Sequence, residues 1–169
     1  ARIGGATVRI AAALGDQQAA LLGVGCTRRG EMVINYGTGA FAALHTGRRA
    51  ARGDGLLTSV AWSSERGARF LLEGPVNSAG SSVDWIEGLV HSGSSDAALD
   101  EPEHLPVFIP ALGGLGAPHW RTDVRGAMFD LRRDTRATQL EAAALAGVAC
   151  RIREVVERMR DSGQPVRRI

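Results

Sequence analysis

An aspartate followed by two glutamines, Asp16-Gln17-Gln18, is the first group in the sequence that could take part in catalysis. It follows an apolar run from Val8 to Leu14, which predicts a buried strand, and leads into a stretch of helical composition from Gln17 to Gly23. Open α/β sheets bind ligands at the carboxyl ends of their strands, where such a carboxylate can accept a hydroxyl proton during phosphoryl transfer. Aspartate before a helix is also a common N-cap, so both roles stay open.

The second candidate is the tripeptide Gly37-Thr38-Gly39, which separates the apolar runs 32–35 and 40–44. Two short strands around a glycine-containing turn predict a β-hairpin. Glycines on both sides of a threonine let backbone N–H groups and a hydroxyl approach a phosphate closely. Hairpin turns favour glycine for purely structural reasons as well, and this alternative remains open.

Two more segments contain glycines in positions that could approach a ligand. The loop 112–118 has three glycines but lacks the strand–Gly-x-Gly-x-x-Gly–helix arrangement of a dinucleotide-binding fold. Gly74 and Gly80 lie around a helix start together with several serines, where free N–H groups favour anions. Ordinary helix capping explains the same serines: Ser78, Ser81 and Ser82.

The composition excludes several classes of protein and site. All twenty basic residues are arginine, so the segment cannot contain a Walker-type phosphate loop or a lysine Schiff base. The arginines occur as scattered pairs and aromatic residues make up only 5% of the chain, so we expect no nucleic-acid partner. We expect no bound metal either, because the spacing of the four histidines and of Cys26 and Cys150 does not match a metal site. The absence of a long apolar run and of a secretory pattern favours a cytoplasmic protein without membrane contact.

The remaining patterns predict the elements that must position these residues. With 169 residues and 44% hydrophobic content, the chain suits one globular domain. Strands are predicted at 56–62, 69–72 and 107–109, a helix at 78–89, and a polar loop at 91–105.

A long helix is predicted near the end of the chain. Thr138-Gln139-Leu140-Glu141 fits a capping box at its start, and Asp161-Ser162-Gly163 supplies its stop. Between them the apolar residues repeat every three or four positions and form a single stripe: Leu140, Ala144, Val148, Ile152, Val155 and Met159.

Five phrases, in their order along the chain, resemble those of the FGGY carbohydrate kinases and are most similar to the glycerol kinase branch of that family. They are Gly15 to Leu21, Asn35 to Phe41, Gly55 to Trp62, Leu72 to Gly74, and Pro110 to Trp120 with Arg125-Gly126. The resemblance spans Val8 to Met159. It implies an α/β fold of the actin-like ATPase, ribonuclease H-like type, with a mixed sheet, flanking helices and an incomplete C-terminus. Residues 1–169 would form part of the C-terminal, nucleotide-binding domain, with the N-terminal domain and the adenosine-binding segment absent.

The resemblance also implies an activity and a set of site residues. The longer parent would phosphorylate glycerol or a related polyol with ATP, whereas this segment alone would be inactive. Asp16 would act as the general base and would bind the substrate together with Gln17 and Phe41. ATP would contact the hairpin turn and the following helix through Gly37, Thr38, Gly39, Gly80 and Asp84. Magnesium would arrive with ATP, and a homo-oligomer is compatible with this assignment.

The chain departs from the family pattern at several positions, and two alternatives therefore stay open. Asp84 stands where a glutamine is usual, His119 replaces a tyrosine, and Asp130 and Asp134 replace glycines. The long helix differs at Ala146, Cys150 and Arg151. The first alternative is a kinase for a ketose or pentulose, and the second is a non-catalytic relative with a binding or regulatory role.

Overall fold

The computed structural model describes residues 2–9, 12–90 and 104–169. Its elements in chain order are β1 (Arg2–Ile3), β2 (Ala6–Thr7), α1 (Asp16–Gly23), β3 (Met32–Tyr36), β4 (Ala40–Gly47), β5 (Leu57–Ser64), β6 (Gly67–Val76), α2 (Gly80–Val90), β7 (Val107–Ile109), β8 (Ala127–Phe129) and α3 (Ala137–Asp161). Within these residues, no helix is both long enough and apolar enough to cross a membrane.

A four-stranded antiparallel sheet with the order β3-β4-β6-β5 forms the centre of the structure. The predicted hairpin is confirmed, with Asn35 paired with Phe41 across its strands. The predicted strands at 56–62 and 69–72 are also confirmed and extend further than their apolar runs. β6 pairs with β4 and β5 at its two edges, and its central residues Leu71 to Gly74 are buried. A strand covered on both faces reads as a continuous apolar run rather than an alternating one.

Each face of the sheet packs against a helix. The stripe predicted on α3 is confirmed, because Val148, Ile152, Val155 and Met159 pack with β4 and β6 residues in one buried cluster. On the opposite face, Leu21 of α1 packs in a smaller cluster with residues of β4, β5 and β6: Ala43, Ala61 and Leu71. A third cluster joins α2, β7 and α3 through Ile86, Phe108, Ala143 and Ala144.

The strand predicted from Val8 to Leu14 is wrong for the part of it that the structure describes. Residues 8–9 and 12–14 lie outside any strand, Leu14 is 45% exposed, and Ile10 and Ala11 lie outside the described residues. An apolar run becomes a strand only where a neighbouring strand offers a hydrogen-bonding edge and a layer covers its faces. In the described part of the chain, no strand pairs with residues 12–15.

The start of α3 also differs from the predicted capping box. The helix begins at Ala137, and the N–H of Arg136 donates to Gln139 Oε1 at 2.8 Å. Gln139 therefore caps the helix from its third position, and Thr138 lies exposed inside the first turn. The Gln139 side chain is fixed by a second bond, from Nε2 to the carbonyl oxygen of His104 at 2.8 Å. This long-range contact explains the shift of the helix start. The predicted stop is confirmed, since Gly163 follows the helix with a φ of 74°.

Three predictions concern smaller elements. The helix at 78–89 and the strand at 107–109 are confirmed as α2 and β7. The predicted polar loop lies mostly outside the described residues, which resume at His104. β8 was not predicted, because its three residues are too short to show a period, and its pairing with β7 is what makes it a strand.

Candidate functional site

A cleft of about 570 Å³ lies where the hairpin turn, the start of α1, the end of β6 and the start of α2 meet. It brings together residues from four separate parts of the sequence. The lining residues are Gln17, Asn35, Gly37, Thr38, Gly39, Ala40, Phe41, Pro75, Val76, Asn77, Ser78, Ser81 and Gly113. Of the predicted site residues, Gln17, Phe41 and the whole Gly37-Thr38-Gly39 turn are therefore in one place.

The hairpin turn is fixed in position by the beginning of α2. The N–H of Gly80 donates to the carbonyl oxygen of Gly37 at 2.9 Å, and the N–H of Ser81 donates to that of Thr38 at 3.1 Å. Ser81 Oγ donates to the same Thr38 oxygen at 3.1 Å. The carbonyl groups of the turn thus cap α2, which satisfies donors that a helix N-terminus otherwise leaves unpaired.

This contact gives Gly80 a definite structural role. A Cβ atom at Gly80 would lie 2.5 Å from the carbonyl oxygen of Gly37, well inside van der Waals contact. Only glycine lets the helix start approach the turn this closely. The Gly80 N–H is engaged by Gly37, so it is not free to donate to a nucleotide.

Two of the three backbone donors of the turn, in contrast to its acceptors, are free among the described residues. The N–H of Gly37 donates to the Gly39 carbonyl at 2.8 Å, but the N–H groups of Thr38 and Gly39 and the Thr38 hydroxyl have no acceptor among the described residues. Successive unpaired N–H groups in a turn form a concave site for an anion. None of the described residues that line the cleft carries a charge, so the counter-charge for an anion would have to come from outside this lining.

The opposite rim of the cleft is formed by the link between β6 and α2. Ser78 has a φ of 55°, a backbone conformation that costs a residue other than glycine about 1–3 kcal/mol. Two contacts support it: Ser78 Oγ accepts from the Gly113 N–H at 2.9 Å, and Asn77 Nδ2 donates to the Gly113 carbonyl at 3.4 Å. These bonds fix the glycine-rich loop against the end of β6.

The structure also decides the local role of Asp16. Gly15 is the N-cap of α1, and Asp16 is its first residue, so the carboxylate is in the first turn and is not the N-cap. Asp16 Oδ1 accepts from the N–H of Gln17 at 2.8 Å, and its side chain is exposed. Gln17 lines the cleft, whereas Asp16, its neighbour in sequence, is not among the described residues that line it. Negative charge in the first turn is favourable next to the helix dipole.

Besides Asp16, two of the predicted site residues, Gly80 and Asp84, are not among the described residues that line the cleft. Asp84 is exposed on α2, one turn after Gly80.

Asn35 and Asn77 belong to the cleft but were not predicted as functional residues. The sequence identifies Asn35 only as part of the hairpin phrase and assigns no role to Asn77, which lies between a strand and a helix. The signal that could have identified Asn77 is the one applied to Asp16, a polar residue at the carboxyl end of a strand just before a helix.

Among the described residues, no group of three or more histidine, cysteine, aspartate or glutamate side chains is placed to bind a metal ion. A divalent cation that needs several protein carboxylates thus has no ready site there. Mg²⁺ commonly binds through one or two carboxylates together with substrate phosphates, and the exposed Asp16 fits that requirement.

Comparison with known proteins gives a consistent result for sequence and structure. Residues 32–169 match the model of the FGGY family of carbohydrate kinases, C-terminal domain. The glycerol kinase of Stenotrophomonas maltophilia (strain R551-3) is 44% identical over 164 residues, which cover 92% of this chain and 33% of that protein. The glycerol kinase of Thermus brockianus is 45% identical over 157 residues, covering 89% of this chain and 32% of that protein. The chain thus spans about a third of the length of the curated relatives it matches.

Solved structures show the same likeness. Plasmodium falciparum glycerol kinase, crystallised with ADP, matches with a TM-score of 0.79 and 30% identity over 88% of this chain and 31% of that chain. A xylulose kinase from Rhodospirillum rubrum matches with a TM-score of 0.71 and 21% identity, over 88% of this chain and 31% of that one, which supports the fold alone. These matches confirm the predicted fold class.

Proposed function

We propose that this chain, which belongs to the FGGY family of carbohydrate kinases, is part of an enzyme that transfers the γ-phosphoryl group of ATP to a hydroxyl of glycerol or a related polyol. Residues 1–169 would supply part of the C-terminal, nucleotide-binding domain of that longer protein. A cytoplasmic location goes with this proposal. The relatives named glycerol kinase, at 44% and 45% identity, favour glycerol over a ketose.

One observation carries the proposal: α2 engages the carbonyl groups of Gly37 and Thr38, whereas two N–H groups and one hydroxyl of the turn have no partner among the described residues. A rigid turn with free donors is pre-organised for phosphate oxygens, because its donors need not be reoriented when charge develops on the transferred group. The uncharged lining supplies no counter-charge, and this suits a nucleotide that brings its own magnesium.

The other residues of the site take roles that follow from their positions. Asp16 would accept the proton of the attacking hydroxyl, since it is an exposed carboxylate in the first turn of α1 and is adjacent in sequence to Gln17 of the cleft lining. The Gln17 side chain would hold a substrate hydroxyl. Phe41, half-buried in the cleft wall, would pack against the carbon chain. Mg²⁺ bound to the ATP phosphates would neutralise their charge. The exposed carboxylate of Asp16 would contact the water shell of the ion.

The experiment that tests this proposal is the substitution Asp16→Asn in the full-length parent protein. General-base help contributes about 10²–10⁴-fold to rate, so we expect kcat with glycerol to fall by a factor in that range. Asp54→Asn, which changes another exposed aspartate outside the cleft, is the matched control and should retain activity.

The same assay separates the alternatives. Turnover of a ketose in preference to glycerol would identify a sugar kinase of the same family. ATP binding without transfer to any polyol or sugar would identify a non-catalytic relative and would refute the proposal.

A further inference from the structure

The side chain of Gln18 connects the start of α1 to the central strand of the sheet. Its Nε2 donates to Oε1 of Glu73 at 3.5 Å. Its Oε1 lies so close to Gly15 that a Cβ atom there would be only 2.4 Å away. The carboxamide of Gln18 is therefore placed between the N-cap of the helix and a carboxyl group of β6.

Glu73 is an unusual residue for its surroundings. It is 6% exposed and belongs to the inner strand of the sheet, paired with Ala43 on one side and Leu57 on the other. Its neighbours on this face, Leu71 and Ala43, belong to the apolar cluster that packs against Leu21. Burial raises the pKa of the Glu73 carboxyl, and the smaller effect of the Ser59 hydroxyl opposes this rise.

A buried carboxyl group costs free energy that an apolar residue of similar size would not. Its presence at Glu73 therefore has to be explained by something other than stability. The carboxyl offers a fixed acceptor under the first turn of α1, which no apolar side chain could provide.

Among the described residues, little else holds the first turn of the helix that carries Asp16 in place. α1 has eight residues, its N-cap Gly15 makes no side-chain cap bond, and Leu21 is its one buried residue. Isolated helices of this length are marginal in water, so tertiary contacts must determine their position. Leu21 fixes the second half of the helix, and the Gln18–Glu73 contact fixes the first turn.

We propose that Glu73 and Gln18 are positioning residues, which hold the first turn of α1, and with it Asp16 and Gln17, in register with the cleft. This inference rests on the proposed function for its catalytic consequence. Neither residue lines the cleft, so each acts through the helix and not by contact with a reactant. Displacement of a reacting group by about 1 Å costs about 10²-fold in rate, which sets the scale of the effect.

The test uses three variants of the full-length parent: Glu73→Leu, Glu73→Gln and Gln18→Leu. We expect Glu73→Leu to lower kcat about 10- to 100-fold and to leave the KM for ATP within about twofold, because the hairpin turn is untouched. Tm should not fall, since the substitution removes a buried polar group. Glu73→Gln keeps an acceptor for Gln18 and should retain kcat within about threefold. Gln18→Leu should match Glu73→Leu, and it preserves the test if Glu73→Leu does not fold.

A second readout does not depend on catalysis. The first helical bond of α1 runs from the Ala19 N–H to the Gly15 carbonyl at 2.9 Å. Hydrogen exchange at the Ala19 and Ala20 amides should be faster in Glu73→Leu than in wild type. The control is Thr46→Val, which removes a buried hydroxyl bonded to Phe70 and Arg49 carbonyls elsewhere in the same sheet; it should lower Tm and leave kcat and this exchange unchanged.

Three results would overturn the inference: unchanged kcat in both leucine variants, a kcat of Glu73→Gln as low as that of Glu73→Leu, or unchanged exchange at α1. Failure of the proposed function looks different. If the wild-type parent transfers no phosphate to any polyol or sugar, the kinase assignment fails, and the exchange measurement alone then decides whether Glu73 and Gln18 hold α1.

Discussion

Gly74 of β6 and Val155 of α3 are in such close contact that a Cβ atom on Gly74 would lie 2.3 Å from Val155 Cγ1. Val155 is fully buried between the helix and the sheet, and the contact sets how closely α3 approaches β6. The cleft lies at the end of the same strand, so this packing helps to position the part of β6 that lines the cleft.

The first prediction follows from this contact. Gly74→Ala should destabilise the chain by about 1–3 kcal/mol, because the added methyl group overpacks the core. Val155→Ala alone should cost about 1–3 kcal/mol by leaving a cavity. The free energy of unfolding of the double variant should fall by at least about 1 kcal/mol less than the sum of the two single losses. The reason is that the smaller side chain at position 155 makes room for the methyl group added at position 74. Urea unfolding followed by tryptophan fluorescence measures all three. Strict additivity would show that the two residues do not limit the packing.

The second prediction concerns the contact between α2 and the hairpin turn. Gly80→Ala should destabilise the chain by about 1–3 kcal/mol, because its Cβ meets the backbone carbonyl of Gly37 and not a flexible side chain. In the full-length parent it should also raise the KM for ATP. Gly88 lies on the same helix with open space around it, so Gly88→Ala is the matched control and should stabilise by about 0.5–1 kcal/mol. Equal effects of the two substitutions would contradict the role given to Gly80.

The third prediction isolates the Thr38 hydroxyl. A hydrogen bond to a charged group is worth about 1.5–3 kcal/mol, so Thr38→Ala should lower kcat/KM for ATP in the parent by about 10- to 150-fold. Thr38→Ser keeps the hydroxyl and should stay within about threefold of wild type. Steady-state kinetics at saturating glycerol gives both values. If the alanine variant matched the serine variant, the hydroxyl would have no part in phosphate binding.

The fourth prediction is a dependence of stability on pH that arises from His45. The ring is 2% exposed, stacks on Trp62 with a centroid distance of 5.0 Å, and has both nitrogens unpaired among the described residues. Burial is the main cause that lowers the pKa of His45, Arg69 lowers it further, and Glu31 acts in the opposite direction.

The sign follows from the protons bound in each state. The unfolded chain binds the His45 proton at a higher pH than the folded chain, so stability is lost as pH falls below the unfolded value of 6.5. The slope for one proton is at most about 1.4 kcal/mol per pH unit. Burial raises the pKa of the Glu73 carboxyl, so this group changes the stability in the opposite direction. Its contribution to the free energy of unfolding increases as the pH falls.

Urea unfolding at about pH 7.5 and about pH 5.5 measures this loss. His45→Phe, which keeps the stacking on Trp62 and cannot be protonated, should flatten the dependence over that range. A wild-type protein with the same stability at both values would show that His45 does not titrate on unfolding.

Several features of this protein could be predicted from the sequence because they depend on local physics. The backbone freedom of glycine predicts the turn at 37–39 and the stop of α3 at Gly163. The helical period of the apolar residues predicts the stripe of α3. The resemblance to a family then indicated which polar residues belong together, and the cleft brings Gln17, Thr38 and Phe41 into one place.

Other features were decided only by tertiary structure. The run from Val8 to Leu14 is apolar enough for a strand, yet its described residues form none, because a strand exists only where another strand pairs with it. β6 is buried on both faces because α3 packs on one side of the sheet and α1 on the other, and its two edges pair with β4 and β5. The contact from Gln18 to Glu73 crosses 55 positions of sequence and has no local signature. The period of the apolar residues predicts which face of a helix or strand is buried. Packing across the whole chain determines which other elements cover that face.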